Sequence, residues 1–288
     1  MYSILGMALG SIRSDENYVY VNGITLHDVQ SVQGSTSLNR TSVNVAGIGH
    51  MASIHEGVLN GNFSMERIAV NEDPFTGDLH KVPFTGVWEY TDSSDVSKYF
   101  AAHSGYLSSY SFNASVGQIP TISTEITAYG NMIGGSVGTG DITRDDDGLE
   151  DNFIYPKQIE LSYTDGDTNR VQSFNLSFSI PRVTRDRLGA LKSIPDTFVA
   201  YPIQASLSID LEVDEYSATD IETLICQDTQ DISLTMQTCG GTNIRNFTFE
   251  SGILNSQNLS ASVGGLNTLT LEYVKYINDI NDISGILS

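Results

Sequence analysis

SFNASVGQIPTISTEITAYG (residues 111–130) and NLSASVGGLNTLTLEYVKY (residues 258–276) carry one pattern. Each reads as a β-strand, a Ser-Val-Gly turn and a second strand that ends in aromatic residues. Phe112, Ala114 and Val116 align with Leu259, Ala261 and Val263 at an offset of 147 residues. Ile122, Thr124 and Ile126 then align with Leu269, Leu271 and Tyr273. A hairpin written twice predicts further matches upstream, in the same order.

The matches are there. YPIQASLSIDLEV (201–213) alternates Ile203, Ala205, Leu207, Ile209 and Leu211 with polar residues, the signature of a half-buried strand. Its counterpart VLNGNFSMERIAV (58–70) places Leu59, Gly61, Phe63 and Met65 on one face at an offset of 144. VQSFNLSFSIPR (171–182) aligns with VQSVQGSTSLNR (29–40) at 142, setting Arg182 opposite Arg40. Short helices are expected at YTDSSDVSKYF (90–100), from Val96, Tyr99 and Phe100, and at YSATDIETLI (216–225), from Ile221, Leu224 and Ile225.

The predicted organisation is therefore mainly β, with two tandem β-sandwich or barrel domains at 17–135 and 152–275, each with a short helix. The Gly- and Asp-rich stretch 136–151 reads as a linker. Sparse apolar arms flank the pair, 1–16 with Ile4 and Leu5, and 276–288 with Ile280 and Ile283. Such arms dock either on a neighbouring subunit or back on their own domain.

Composition restricts function. Against 14 Lys plus Arg stand 35 Asp plus Glu, a formal net charge of −21, which opposes binding to a nucleic-acid backbone. No run reaches the roughly 18 apolar residues of a membrane span. The start, MYSILGMALGSIRSDE, lacks the basic region of a secretory signal, so a soluble chain is expected. Cys226 and Cys239 fit a small disulfide or two free thiols equally.

No catalytic or metal constellation survives inspection. His50 and His55 are five apart, the wrong spacing for HExxH, and all five histidines lie in the first half. GGSVG (134–138) imitates a nucleophile elbow, but TGDITRDDDG follows it where a helix should start. GIGHMA (47–52) lacks a βαβ setting. Asp145 and Asp147 miss the first and twelfth ligands of a calcium loop, leaving a solvated acidic linker. No enzyme activity, cofactor or metal is expected.

Contact surfaces are more promising. PFTG occurs at 74–77 and 83–86 before Trp88, so Phe75, Phe84 and Trp88 read as exposed aromatics on a loop suited to subunit contact. IELSYTDGDTNRVQSF (159–174) reads as a long hairpin whose polar tip, with Asp165, Asp167 and Asn169, could reach a neighbour.

Duplication, hairpins, acidic charge and apolar arms together resemble the tail tube proteins of tailed bacteriophages, as do the stretches VNGITLHDVQS (21–31) and SVGQIPTISTEI (115–126). The resemblance spans both repeats. It implies modules that join on oligomerisation into a ring-shaped β-barrel, with six modules around an acidic channel. Two modules per chain imply a trimeric ring; if only one domain builds the tube, the ring is a hexamer. It further implies stacked rings, contacts with other phage tail proteins, and genomic DNA passing through without specific binding. The location would be the virion tail, assembled in the host cytoplasm, with no membrane partner. Two other readings remain open: a two-domain adhesin with Trp88, Tyr106 and Tyr110 at a ligand site, and a distal-tail or head–tail connector ring.

Overall fold

The computed structural model describes residues 17–26, 28–44, 51–70, 73–76, 80–91, 97–129, 132–134, 154, 159–163, 166–167, 171–185, 196–213, 229–237, 243–260 and 267–286. The first half forms β1 (Asn17–Val21), β2 (Ile24–Leu26), β3 (Val29–Asn44), β4 (Met51–Ile68), β5 (Phe84–Thr91), β6 (Ser97–Ser115), β7 (Thr121–Tyr129) and β8 (Met132–Gly134). The second forms β9 (Ile159–Tyr163), β10 (Gly166–Asp167), β11 (Val171–Ser179), β12 (Arg182–Arg185), β13 (Asp196–Val199), β14 (Ile203–Val213), β15 (Gln230–Gln237), β16 (Asn243–Ser260) and β17 (Asn267–Ile277). The chain is mainly β. Among the described residues fifteen strands share one antiparallel sheet, with β12 and β13 paired apart, and no barrel closes.

Strand pairing in the two halves follows one scheme. Asn17 pairs with Tyr90, as Ile159 pairs with Met236. Val32 faces Met65, as Phe174 faces Ile209, and each pair of strands has an irregularity three residues earlier, at Val29/Ser31 and Val171/Ser173. Phe112 faces Ile122, as Leu259 faces Leu269. The bulge at Leu107/Ser109 recurs at Leu254/Ser256, 147 residues on. Ser104 (φ 55°) and Ser251 (φ 56°) also lie 147 apart, both in the left-handed region that non-glycine residues seldom occupy. Bulges bend a strand and increase its twist, so the shared positions give β6 and β16 the same bend.

The halves meet through β6, whose long strand changes partners at that bend. One edge pairs with β5 up to Gly105 and with β11 from Ser109 to Ser115, while the other carries β8 and β7. The result is a continuous run of eight strands, β3-β4-β7-β6-β11-β14-β17-β16. At this seam Phe112 stacks on Phe174 (centroids 5.5 Å apart, planes 6° apart) and Tyr110 on Phe178 (5.4 Å). One apolar core underlies the run. It holds Phe63, Ile126, Leu176, Leu207 and Leu271 together with Phe84 of β5 and Phe247 of β16.

Clean alternation built these strands as expected over Ile203–Val213 and Val171–Ser179. Asn22 (φ 49°) and Gly23 (φ 82°) close the β1–β2 hairpin, the residue pair that a tight turn with positive φ favours. Pro181 follows β11, and its missing N–H fits the departure of β12 from the main sheet.

Two expectations are corrected, and one left between two readings takes the second. Among the described residues of 90–100 no helix is formed: Thr91 ends β5, and Ser97–Phe100 open β6. Tyr99 and Phe100 point to opposite faces, Tyr99 to a small cluster with Tyr20 and Val87, and Phe100 to the main core. Burial on both faces makes adjacent aromatics suit a strand, and an i, i+3, i+4 match over three residues was too short to reveal it. The second helix, 216–225, lies outside the described residues.

The hairpin predicted over 159–174 is also absent. β9 pairs with β10 and with β15, whereas β11 lies between β6 and β14. Four strands, β15, β16, β17 and β14, lie between β9 and β11 along the sheet. The C-terminal arm, finally, packs on its own chain. Ile277, Ile283 and Ile286 belong to the core, and Ile280 lies against it. Asp279 caps the turn Ile280–Asp282 by accepting from Asn281 N.

Candidate functional site

A β-sheet that buries one face must spend the other on solvent, and here that other face has a narrow composition. Among the described residues, β4 presents Asn60, Asn62, Ser64 and Glu66; β7 presents Thr121, Ser123, Glu125 and Thr127. β6 and β11 add Ser109, Ser111, Asn113, Ser173, Asn175 and Ser177. β14 and β17 add Gln204, Ser206, Ser208, Asp210, Glu212, Thr268, Thr270 and Glu272. None of these positions carries lysine, arginine or histidine. Five carry carboxylates.

The face is cross-linked by its own side chains. Ser256 donates to Glu272 (2.7 Å) and Thr270 to Asp210 (2.6 Å), while Thr127 donates to Asn62 (3.3 Å). Asn175 donates to Asn113 across the seam. Ser109 reaches Glu125 at 3.4 Å, the same relation as Ser256 to Glu272, 147 residues earlier. Charge-assisted hydrogen bonds of this kind hold carboxylates in fixed rows. The face is also hollow: a groove of about 800 Å³ crosses six strands, from Ser31 and Gln33 on β3 to Gln204 and Ser206 on β14.

The run has two open edges. Among the described residues β3 pairs with β4 alone, and β16 between Ile253 and Ser260 pairs with β17 alone. Beyond Leu38 the β3–β4 hairpin outruns its sheet neighbour, since β7 covers β4 only from Asn60 onward.

Arg67, on the core side of β4, is fully buried. Its Nη2 donates to Asp73 Oδ1 at 3.0 Å and its Nη1 lies 3.5 Å from Asp28. Burial alone would lower the guanidinium pKa, but Asp73 and then Asp28 outweigh it and hold the pKa above its ordinary value. Asp73 also accepts from Phe75 N (3.0 Å) and Tyr110 Oη (2.8 Å), so it ties the turn Pro74–Thr76 to β4 and β6. This is a structural corner, closed to solvent.

Arg182 lies over the Tyr106 ring (4.2 Å) and donates to the His80 carbonyl (3.1 Å), joining β12 to the first half. Burial lowers its pKa, with Tyr106, Tyr129 and Tyr201 offsetting part of the shift. Burial likewise raises that of Tyr129, against the pull of Arg182.

The aromatic loop differs from expectation. Phe75 is 0% and Phe84 2% exposed, packed edge to face at 5.7 Å, with Arg67 5.2 Å from the Phe75 ring. They serve the chain's own core, because the Arg67–Asp73 corner draws the loop inward. Trp88 is half-buried against Tyr90 and donates Nε1 to Asn17 Oδ1 at 3.1 Å. Asp167 lies in β10; Asp165, Asn169, Ile4 and Leu5, like both cysteines, fall outside the described residues. Ile283 is buried in the core rather than offered to a neighbour. What the sequence reading missed is the polar face itself. Its signal was present in the Ser/Thr/Asn/Glu positions that alternate with the apolar ones.

Among the described residues no cluster of His, Cys, Asp or Glu has the arrangement of a metal site, and no helix is long and apolar enough to cross a membrane. No protein-family model matches the chain, and no curated protein matches it.

Proposed function

We propose that the chain is a duplicated β module whose copies join into a ring-shaped β-barrel, the subunit of a tube of the phage-tail kind. The observation that carries this reading is the open eight-strand run with a hollow, cation-free polar face. Among the described residues a single chain leaves both ends of the run unpartnered, and ring closure is an arrangement that removes such edges. The recurrence of registers, bulges and the φ > 0 serine supports duplication.

Size supports three chains. Eight strands from each of three chains make twenty-four; at about 4.8 Å per strand the circumference is about 115 Å and the backbone diameter about 37 Å or more once strands tilt. That bore admits a DNA duplex; six chains would double it. Three chains at −21 carry about sixty negative charges per ring. A lining of hydroxyls, amides and carboxylates offers phosphates no cation to hold, so DNA would pass without sticking. In this reading the protein lies in the virion tail and meets other tail proteins at the ends of the tube.

Electron microscopy of the purified chain at high concentration tests it. The expected result is rings or tubes with an open centre and threefold or pseudo-sixfold end-on averages. Compact particles at every concentration would overturn the ring and favour the adhesin reading.

A further inference from the structure

The seam between β6 and β11 is a template for a contact the single chain lacks. Through the shared pairing scheme, β16 corresponds to β6 and β3 corresponds to β11. Within the chain, β6 finds β11 beside it. β16 and β3 carry the same two edges and have no such neighbour among the described residues.

Burial shows the same deficit from both sides. Phe112 is 0% exposed; its counterpart Leu259 is 55% exposed. Tyr110 is buried, whereas Gln257 is half-exposed. On the opposite edge Phe174, Leu176 and Phe178 are buried, whereas Val32 and Gly34 are half-exposed and Thr36 is exposed. Each position that the seam covers in one copy is uncovered in the other. The facing residues are also free of charge: Gln33 to Ser37 reads QGSTS and Ser256 to Ser260 reads SQNLS. An edge meant to stay solvated would carry charges or proline.

We infer that residues 256–260 of one chain add to residues 33–37 of a second copy as antiparallel strands, in the register that sets Leu259 opposite Gly34 and Asn258 opposite Ser35. The register is transferred from the seam, where Phe112 faces Leu176 and Ser111 faces Ser177. The side chains fit it. Gly34 has no room for a β-carbon because the Phe100 ring occupies that space. Leu259 of the first chain then covers this small residue of the second copy and packs beside its Phe100, as Phe112 packs over Leu176. Ser35 and Asn258 fall together on the polar face, continuing it from chain to chain. The two edges differ, so the contact is heterologous and propagates head to tail until a ring closes. This inference rests on the ring proposed above and names its interface.

Cysteine cross-linking tests the register. Facing residues in an antiparallel pair have Cα atoms about 4.5–5.5 Å apart, within disulfide reach, while a shift of two residues exceeds about 7 Å. Mild oxidation of the double variant Ser35→Cys/Asn258→Cys should give covalent multimers up to the closed ring, beyond anything the wild type forms through its own cysteines. The pair Ser37→Cys/Asn258→Cys should give few. Within one chain six strands separate the two sites. Leu259→Ala, at an exposed position, should leave the melting curve unchanged yet raise the concentration for half-assembly about tenfold or more.

Rings on the microscope grid with no Ser35→Cys/Asn258→Cys bond, or with equal bonding from the shifted pair, would overturn the interface and spare the ring. Absence of rings in the wild type, together with unchanged assembly of Leu259→Ala, would overturn both.

Discussion

Replacing Arg67 with alanine should lower the unfolding free energy by about 3–5 kcal/mol, the range for removing one partner of a buried charge pair. The loss comes from what stays behind. Asp73 and Asp28 would remain buried without their shared guanidinium, and Phe75 would lose the cation above its ring. Volume alone should not rescue the site. Leu211 occupies the matching position of the second half, yet Arg67→Leu should fall within about 1 kcal/mol of Arg67→Ala, because leucine does not replace the guanidinium that the two buried carboxylates share. Urea denaturation of the two variants checks this. Recovery of wild-type stability by leucine would show that packing, not charge, holds the corner.

Phe112→Ala should cost a similar amount, about 3–5 kcal/mol, the range for deleting a core aromatic. Phe112 is where the halves are joined: its ring stacks on Phe174 at 5.5 Å and meets Phe247 at 5.0 Å. Alanine would leave a cavity between β6, β11 and β16. Thermal or urea unfolding followed by tryptophan fluorescence reads the loss, since Trp88 lies on β5, hydrogen-bonded to Asn17 in the first half. A change below about 1 kcal/mol would mean that the halves are stable without their seam.

Much of the strand order was legible because each strand with one wet face writes its own alternation. Ile203 to Val213, the first Ser-Val-Gly hairpin and the pairing of the strands that flank the second needed no tertiary information. The offsets of 142, 144 and 147 found in the sequence are those at which the strand registers repeat. Errors arose where burial departs from alternation. Tyr99 and Phe100 belong to a strand covered on both faces, so their spacing imitated a helix. Phe75 and Phe84 sat between turn residues and looked exposed; a buried ion pair formed from Arg67 on β4 and Asp73 pulls them in, and such pairing across separate segments leaves no local trace. β9 and β11 adjoin in sequence but not in the sheet. β9 pairs with β15, at separations of 69 to 77 residues, a choice set by the far partner rather than by the local sequence.

The candidate surface was legible in composition and illegible in place. A net charge of −21 announced repulsion from phosphate, but only the strand registers put Glu66, Glu125, Asp210, Glu212 and Glu272 on one side and kept Arg67 and Lys275 on the other. Ala205, which faces Lys275, is fully buried, and this fixes the side of the sheet on which that lysine lies.

The seam between β6 and β11 has a consequence for symmetry. Because one polypeptide contains both sides of it, half of the joints in the proposed ring form at the effective concentration of a tethered pair, on the order of millimolar, and do not depend on protein supply. The tether also dictates sequence around the circle. Modules bearing the Arg67 corner must alternate with modules bearing Leu211, and no ring can contain two of one kind side by side. Hence the proposed tube would be nearly sixfold in its walls and threefold at its rims, and a protein capping it would encounter three equivalent sites instead of six.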